Sequence, residues 1–233
     1  MNSGMEVLPI PSGIQALDDV LQGLRLGDNV VWQVERLEDY QYFAKPFIKT
    51  AIASNRRMVY LRFAYHPPVL EPSPGLETIE LNPALGFDHF TRETQHLIEA
   101  YGHGVMYVFD NLSALVVEWA TDELLANFFQ ITCPFLSELN TIAYFALTRG
   151  QHAHQAVARI RDTTQILVDV YQIQGQMHIH PIKVWDRYSP QMFLPHLVTG
   201  KRWAPLSQSQ EAAKVLSSAH HSPLFDITRT IAP

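Results

Sequence analysis

The sequence predicts an α/β protein of three αβα layers, with a mainly parallel central sheet and a C-terminal antiparallel extension. Three observations predict it. The apolar runs Val30–Val34, Val105–Phe109 and Thr141–Leu147 are continuous rather than alternating, as strands buried on both faces require. Stretches with apolar residues at helical spacing separate these runs, so the strands are joined by helices and lie parallel. Beyond Gly175, strand-like segments follow one another with only turns between them, which makes that part antiparallel.

In chain order, Ile14, Leu17, Val20 and Leu21 recur at helical spacing in a short amphipathic helix, which Gly23 stops before a turn at Gly27-Asp28. Val30–Val34 is the first buried strand. Tyr40 to Asn55 follow as a helix with Phe43, Phe47, Ile48, Ala51 and Ile52 inward, and Pro46 is expected to kink it or delay its start. Arg57–Ala64 is a strand, the proline-rich stretch from His66 to Gly75 a rigid surface connection, and Leu76–Leu81 a short strand. Phe87–Tyr101 is a helix facing inward through Phe90, Thr94, Leu97 and Ile98. Val105–Asp110 is a buried strand ending in a carboxylate. Thr121–Asn140 is a long helix expected to break near Pro134, Thr141–Leu147 a strand, Ala153–Asp162 a helix and Gln165–Ile173 a strand. Met177–Trp185 and Met192–Val198 complete a meander. The domain is expected to span residues 1–200, and residues 201–233 to form a polar tail with one short helix over Gln208–Ser218.

Composition narrows the function classes. The 233 residues carry 17 basic and 23 acidic side chains, a formal charge of −6, which disfavours a polyanionic partner such as nucleic acid. Cys133 is the only cysteine, so no intramolecular disulfide or thiolate zinc cluster forms; it lies in an apolar run as an inert thiol. Met1–Glu6 lacks the basic and apolar regions of a signal peptide, and no apolar run is long enough to span a bilayer. The expected location is the cytoplasm.

Ser12-Gly13-Ile14, Leu17-Asp18, Leu21, Gly23 and Leu26-Gly27-Asp28 directly before a buried strand form a linked pattern. It resembles the leading segment of RecA-like ATPases, in particular the KaiC and RadA branch. Val105–Asp110 with Asn111–Leu115 is similar to that family's Walker B strand and following loop. Thr141–Leu147 with Thr148 and Arg149 resembles the next core strand and its polar tip. Gln165–Val170 with Ile182-Lys183-Val184 resembles the late strands, where the family brings a lysine close to an arginine; Lys183 and Arg187 are the matching pair, and the resemblance implies a subunit interface for them. It also implies a RecA-like fold over residues 9 to 200, and self-association as a ring, filament or dimer.

The phosphate loop departs from the family. A working loop needs glycines that let backbone N–H groups cradle phosphate oxygens, a lysine for the β- and γ-phosphates, and a hydroxyl for magnesium. Glu35, Arg36, Leu37, Glu38, Asp39, Tyr40, Gln41 and Tyr42 stand there instead, and the lysine position falls on Tyr40 or Gln41. Each carboxylate at ~4 Å from a triphosphate would cost on the order of 4 kcal/mol at an effective dielectric of 20. The water-activating glutamate of the family is also missing, because Leu61–His66 contains no carboxylate. Asp110 keeps the Walker B position, with two readings left open: a magnesium ligand through water, or a cap for the next segment.

Other polar groups carry weaker signals. His178 and His180 alternate on one strand face, and His152, His154 and the pair His220-His221 add imidazoles, but no third ligand stands at metal spacing. No metal is therefore expected, and the strand histidines are expected to be solvated. The cationic stretch Arg149–His154, with Arg159 and Arg161, is where recombinases of the family touch DNA. Gly102-x-Gly104 is a turn, since a dinucleotide fingerprint follows a strand rather than preceding one. Trp185 and Trp203 are expected as core or tail anchors.

The sequence thus points to a catalytically inactive RecA/KaiC-like homologue that serves as a regulatory or assembly module, with no resident cofactor. One alternative is an atypical ATPase or kinase that holds Mg-ATP through Arg36 or Lys45. A second is a recombinase-like nucleic-acid binder, against which the acidic charge argues.

Overall fold

A computed structural model describes residues 9–220. Helix α1 (Gln15–Leu21) leads into β1 (Asn29–Val34), α2 (Leu37–Ala53), β2 (Met58–Arg62) and β3 (Leu76–Glu80). A 3-10 turn at Pro83–Leu85 precedes α3 (Phe87–Tyr101), β4 (Met106–Asn111), α4 (Ser113–Trp119) and α5 (Asp122–Glu138). Then come β5 (Ile142–Thr148), α6 (His154–Thr163), β6 (Ile166–Ile173), β7 (Gln176–Val184), β8 (His196–Thr199), β9 (Arg202–Pro205) and α7 (Ser209–His220).

The nine strands form one sheet in the order β3-β2-β4-β5-β1-β6-β7-β8-β9. Pairings from β3 to β6 are parallel, and those from β6 to β9 antiparallel. β1 lies between β5 and β6, with Val31 beside Phe145 and Trp32 beside Val168. Successive β1 side chains divide between the two faces of the sheet. Val30, Trp32 and Val34 join one core with Leu17, Leu21, Phe43 and Phe47, whereas Val31 joins the other with Phe90, Phe128, Phe129, Cys133 and Ile160. Helices on both faces complete the three αβα layers.

Aromatic stacking sets the register of α2. The Trp32 and Phe43 rings are 3.9 Å apart and nearly parallel, as are Phe47 and Tyr144 at 4.1 Å. Gly13 lets the chain pass over this helix, because a Cβ there would lie 2.4 Å from the Pro46 carbonyl oxygen and its φ is +89°.

Several expectations are corrected. α2 starts at Leu37 rather than Tyr40 and runs through Pro46, and α5 runs through Pro134. In both helices the buried face outweighs the one hydrogen bond that proline removes. The stretch after Asp110 is a helix, α4, rather than a loop, started by the Asn111 side chain accepting from the Ser113 N–H at 3.1 Å. β8 starts at His196, since Ser189–Leu194 is occupied by turns in which the N–H of Met192 bonds Ser189 and that of Leu194 bonds Gln191. The sheet also continues past residue 200. Gly200 and Lys201 turn β8 into β9, Trp203 is 9% exposed, and Val215 of α7 packs on Tyr171 of β6. No helix among the described residues is long and apolar enough to cross a membrane.

Candidate functional site

Parallel α/β sheets bind ligands beyond the carboxyl ends of their strands, close to where the strand order reverses. Here that region joins the ends of β1, β2, β4 and β5. It holds Glu35, Asp110 and Thr148, each within two residues of a strand end.

The link between β1 and α2 is two residues long, Glu35 and Arg36. None of residues 34–43 has positive φ, so no concave turn of inward N–H groups forms. The acidic side chains are spent on the protein itself. Glu35 pairs with Arg149 at 3.4 Å, and the Arg149 guanidinium stacks 4.3 Å from the centre of the Tyr171 ring. Asp39 is buried and accepts from Gln172 at 2.8 Å and from Arg36 at 3.3 Å. Its position in the first turn of α2, with Glu38, also suits the positive end of the helix. Tyr40, one of the two residues at which the lysine position falls, is fully buried and donates its hydroxyl to the Phe109 carbonyl at 3.1 Å. Burial, together with the neighbouring Tyr60 and Asp110, pushes its phenol well above the ordinary range. Leu37 packs against the core, Gln41 accepts from Lys45 at 2.9 Å, Glu38 is exposed, and the exposed Tyr42 meets the Phe43 ring edge-on.

Asp110 is fully buried beneath this junction. One carboxylate oxygen accepts from the N–H groups of Phe63 at 3.4 Å and Ala64 at 3.2 Å. The other accepts from the Asn111 N–H at 3.0 Å and lies 3.0 Å from His66 Nε2, off the line of the ring N–H. Of the two readings left open, the geometry matches the cap: the carboxylate closes the end of β2 and the start of the segment after β4.

His66 itself sits between two acceptors, Asp110 on Nε2 and the Pro67 carbonyl at 2.8 Å on Nδ1. The Asp110 carboxylate raises its pKa above 6.5, against partial burial and Arg62. A group whose folded pKa is raised adds stability that is complete below its unfolded pKa and is lost as pH rises through the folded one. Burial instead lowers the pKa values of His178, His180 and His196, so their contributions run the opposite way. The His66 term is therefore read as a difference. The stability gap between wild type and His66→Gln, measured by urea unfolding, is expected to be widest below the ordinary histidine value of about 6.5 and to shrink as pH rises through the raised folded-state pKa.

A third constellation joins residues the sequence keeps apart. Ser113 Oγ lies 2.6 Å from His152 Nε2, and His152 Nδ1 lies 2.6 Å from Asp122 Oδ1. Asp122 Oδ2 accepts from the Ala153 N–H at 2.6 Å, and Ser113 Oγ accepts from the Thr148 N–H at 2.8 Å. Thr148 Oγ1 meets the Asn111 amide at 3.1 Å. The carboxylate assigns the proton to Nδ1, so Nε2 accepts from the serine hydroxyl. Burial raises the Asp122 carboxyl, but the Ala153 N–H and His152 outweigh it and hold it below the ordinary range. Sequence reasoning noted Thr148 and His152 separately and missed Ser113 and Asp122. The available signal was a serine just past the Asp110-Asn111 strand end.

The expected interface pair lies elsewhere. Arg187 is sealed inside the chain, with its guanidinium on both Asp28 oxygens at 2.8 and 3.0 Å and on the Gly23 carbonyl at 2.8 Å. Lys183 donates to the carbonyls of Arg161 and Asp162 at the end of α6. The strand histidines are not solvated as expected: His178 is buried, and His180 is half-buried between Phe193 and Tyr171. Trp203 is a core anchor, but Trp185 is 64% exposed. Among the described residues no three histidine, cysteine, aspartate or glutamate side chains gather as a metal site; His221 and the side chain of His220 lie outside that description.

Compared with known proteins, the chain matches no family model. No curated protein matches it either.

Proposed function

We propose that the chain is a RecA/KaiC-like domain that has lost ATP hydrolysis and acts as a regulatory or assembly module, contacting another protein or a second copy of itself. The observation that carries this reading is the closed junction after β1. Two residues and the start of a helix stand where a phosphate loop would be, and Glu35, Asp39 and Tyr40 are engaged by Arg149, Gln172 and the Phe109 carbonyl. The central position of β1, with the Asp110 strand one place beyond β5, supports descent from a nucleotide-binding sheet.

The alternatives find less support. Arg36 pairs with Asp39, and Lys45 bonds Gln41 on the exposed side of α2, so neither cation is aimed at the junction. The cationic stretch is engaged within the chain: Arg149 pairs with Glu35, Arg161 with Asp162, and Arg159 with Glu123 at 3.9 Å while also donating to the amide oxygens of Asn127 and Gln130. A contact role draws support from Leu26, Trp185 and Tyr188, all exposed, on two turns tied together by Arg25 to Asp186 and Gln22 to Tyr188.

Calorimetric titration with Mg-ATP tests the reading. The expected result is no heat of binding at millimolar nucleotide, with light scattering on the same sample showing a multimer that Trp185→Ser weakens. Micromolar binding, with turnover that Asp110→Asn abolishes, would overturn it.

A further inference from the structure

We propose that Ser113, His152 and Asp122 form a nucleophilic relay that hydrolyses small acyl esters at the carboxyl ends of β4 and β5. This inference is independent of the assembly reading and concerns different residues. Its basis is the order of donors and acceptors. Asp122 accepts a hydrogen bond from the Nδ1–H of His152, which leaves Nε2 as the acceptor for the Ser113 hydroxyl, and both contacts are 2.6 Å. That is the arrangement in which an imidazole can remove a serine proton while a carboxylate stabilises the resulting imidazolium.

The three groups come from three segments, each anchored on its own. Ser113 opens α4 and is held by the Asn111 side chain on its N–H. Asp122 opens α5, and its second oxygen is fixed by the Ala153 N–H, so the carboxylate cannot swing away from the ring. His152 belongs to the turn after β5, and its side chain is 2% exposed. The Thr148 N–H points at Ser113 Oγ from 2.8 Å, where it favours the oxygen as it gains negative charge.

The surroundings limit the substrate. Ser113 is 6% exposed, so only a small group can approach its hydroxyl from the surface. Val117, one helical turn beyond Ser113 on the same side of α4, is 81% exposed and offers a small apolar contact. The substrate proposed is therefore an acetyl-sized acyl group on an alcohol leaving group, the smallest that could approach a hydroxyl so little exposed.

In the reaction, Ser113 Oγ bonds to the acyl carbon as its proton passes to His152 Nε2. The ester C–O bond then breaks, and the alcohol leaves with that proton. Water, deprotonated by the same imidazole, attacks the acyl-serine, and the proton returns to Ser113 as the acid departs. No oxidant or reductant is involved.

The test treats the full chain with an alkyl fluorophosphonate and maps the adduct by mass spectrometry, alongside p-nitrophenyl acetate turnover. One adduct on Ser113 is expected, absent in Ser113→Ala. Asp122→Asn should slow its formation by roughly 100-fold or more while thermal melting stays near wild type. The rate should rise with pH through one ionisation that His152→Ala removes. If wild type melts normally but Ser113 stays unmodified, the three residues are a structural tie and the proposal fails. It fails equally if Asp122→Asn folds and reacts at the wild-type rate. Should that variant not fold, mapping of the wild-type adduct and its pH profile decides.

Discussion

Replacing Arg187 with methionine is expected to lower the free energy of unfolding by about 3–5 kcal/mol, the usual cost of leaving one member of a buried ion pair without its partner. The side chains of Arg187 and Asp28 are 1% and 5% exposed. Both carboxylate oxygens of Asp28 face the guanidinium, and Arg187 also donates to the carbonyls of Gly23 and Trp185. The cluster fastens the turn before β1 to the segment that follows β7. In the variant, Asp28 keeps only the Arg25 N–H at 2.8 Å, and a negative charge remains in the interior. Urea denaturation measures the loss. Adding Asp28→Asn should recover part of it, because a neutral amide costs less to bury than a lone carboxylate. A loss under about 1 kcal/mol would mean that water or a shifted side chain replaces the arginine.

The second large effect is at Asp110. In Asp110→Ala the N–H groups of Phe63, Ala64 and Asn111 lose their acceptor, and each buried unpaired group costs about 1–3 kcal/mol. A total of about 3 kcal/mol or more is expected, together with loss of the pH dependence that His66 contributes. Magnesium provides the contrast. If Asp110 serves only as a cap, millimolar magnesium leaves the melting temperature of the wild type unchanged. If it is a metal ligand, binding to the folded state raises that temperature, and Asp110→Asn removes the rise.

These effects come from different levels of the molecule. The buried strands were legible in the sequence because Val30–Val34, Val105–Phe109 and Thr141–Leu147 are apolar without alternation, and burial on both faces requires that. The absence of a phosphate loop was legible as the absence of glycine between Val34 and Phe43. How short the link is was not legible. The start of α2 at Leu37 depends on Phe43 stacking on Trp32 and on Tyr40 reaching the Phe109 carbonyl, and neither contact has a local sequence signal. The prolines misled for the same reason: local preference argued for a late start or kink at Pro46 and a break at Pro134, whereas α2 already begins at Leu37 and α5 runs through Pro134 unbroken. β9 was missed because its four residues carry too little pattern to stand out from a polar tail.

The sequence by itself determined the αβα layering and the absence of glycine, lysine and serine or threonine hydroxyl from the segment between Val34 and Phe43, because those depend on residue type and spacing along the chain. Only the tertiary structure decided what occupies that segment and which polar groups meet. Arg149 reaches Glu35 across 114 positions, Arg187 reaches Asp28 across 159, and His152 joins Ser113 to Asp122 across 39 and 30. Strand order brings these groups together. Strand order follows from how the two faces of the sheet are buried, a property of the whole chain that no local stretch encodes.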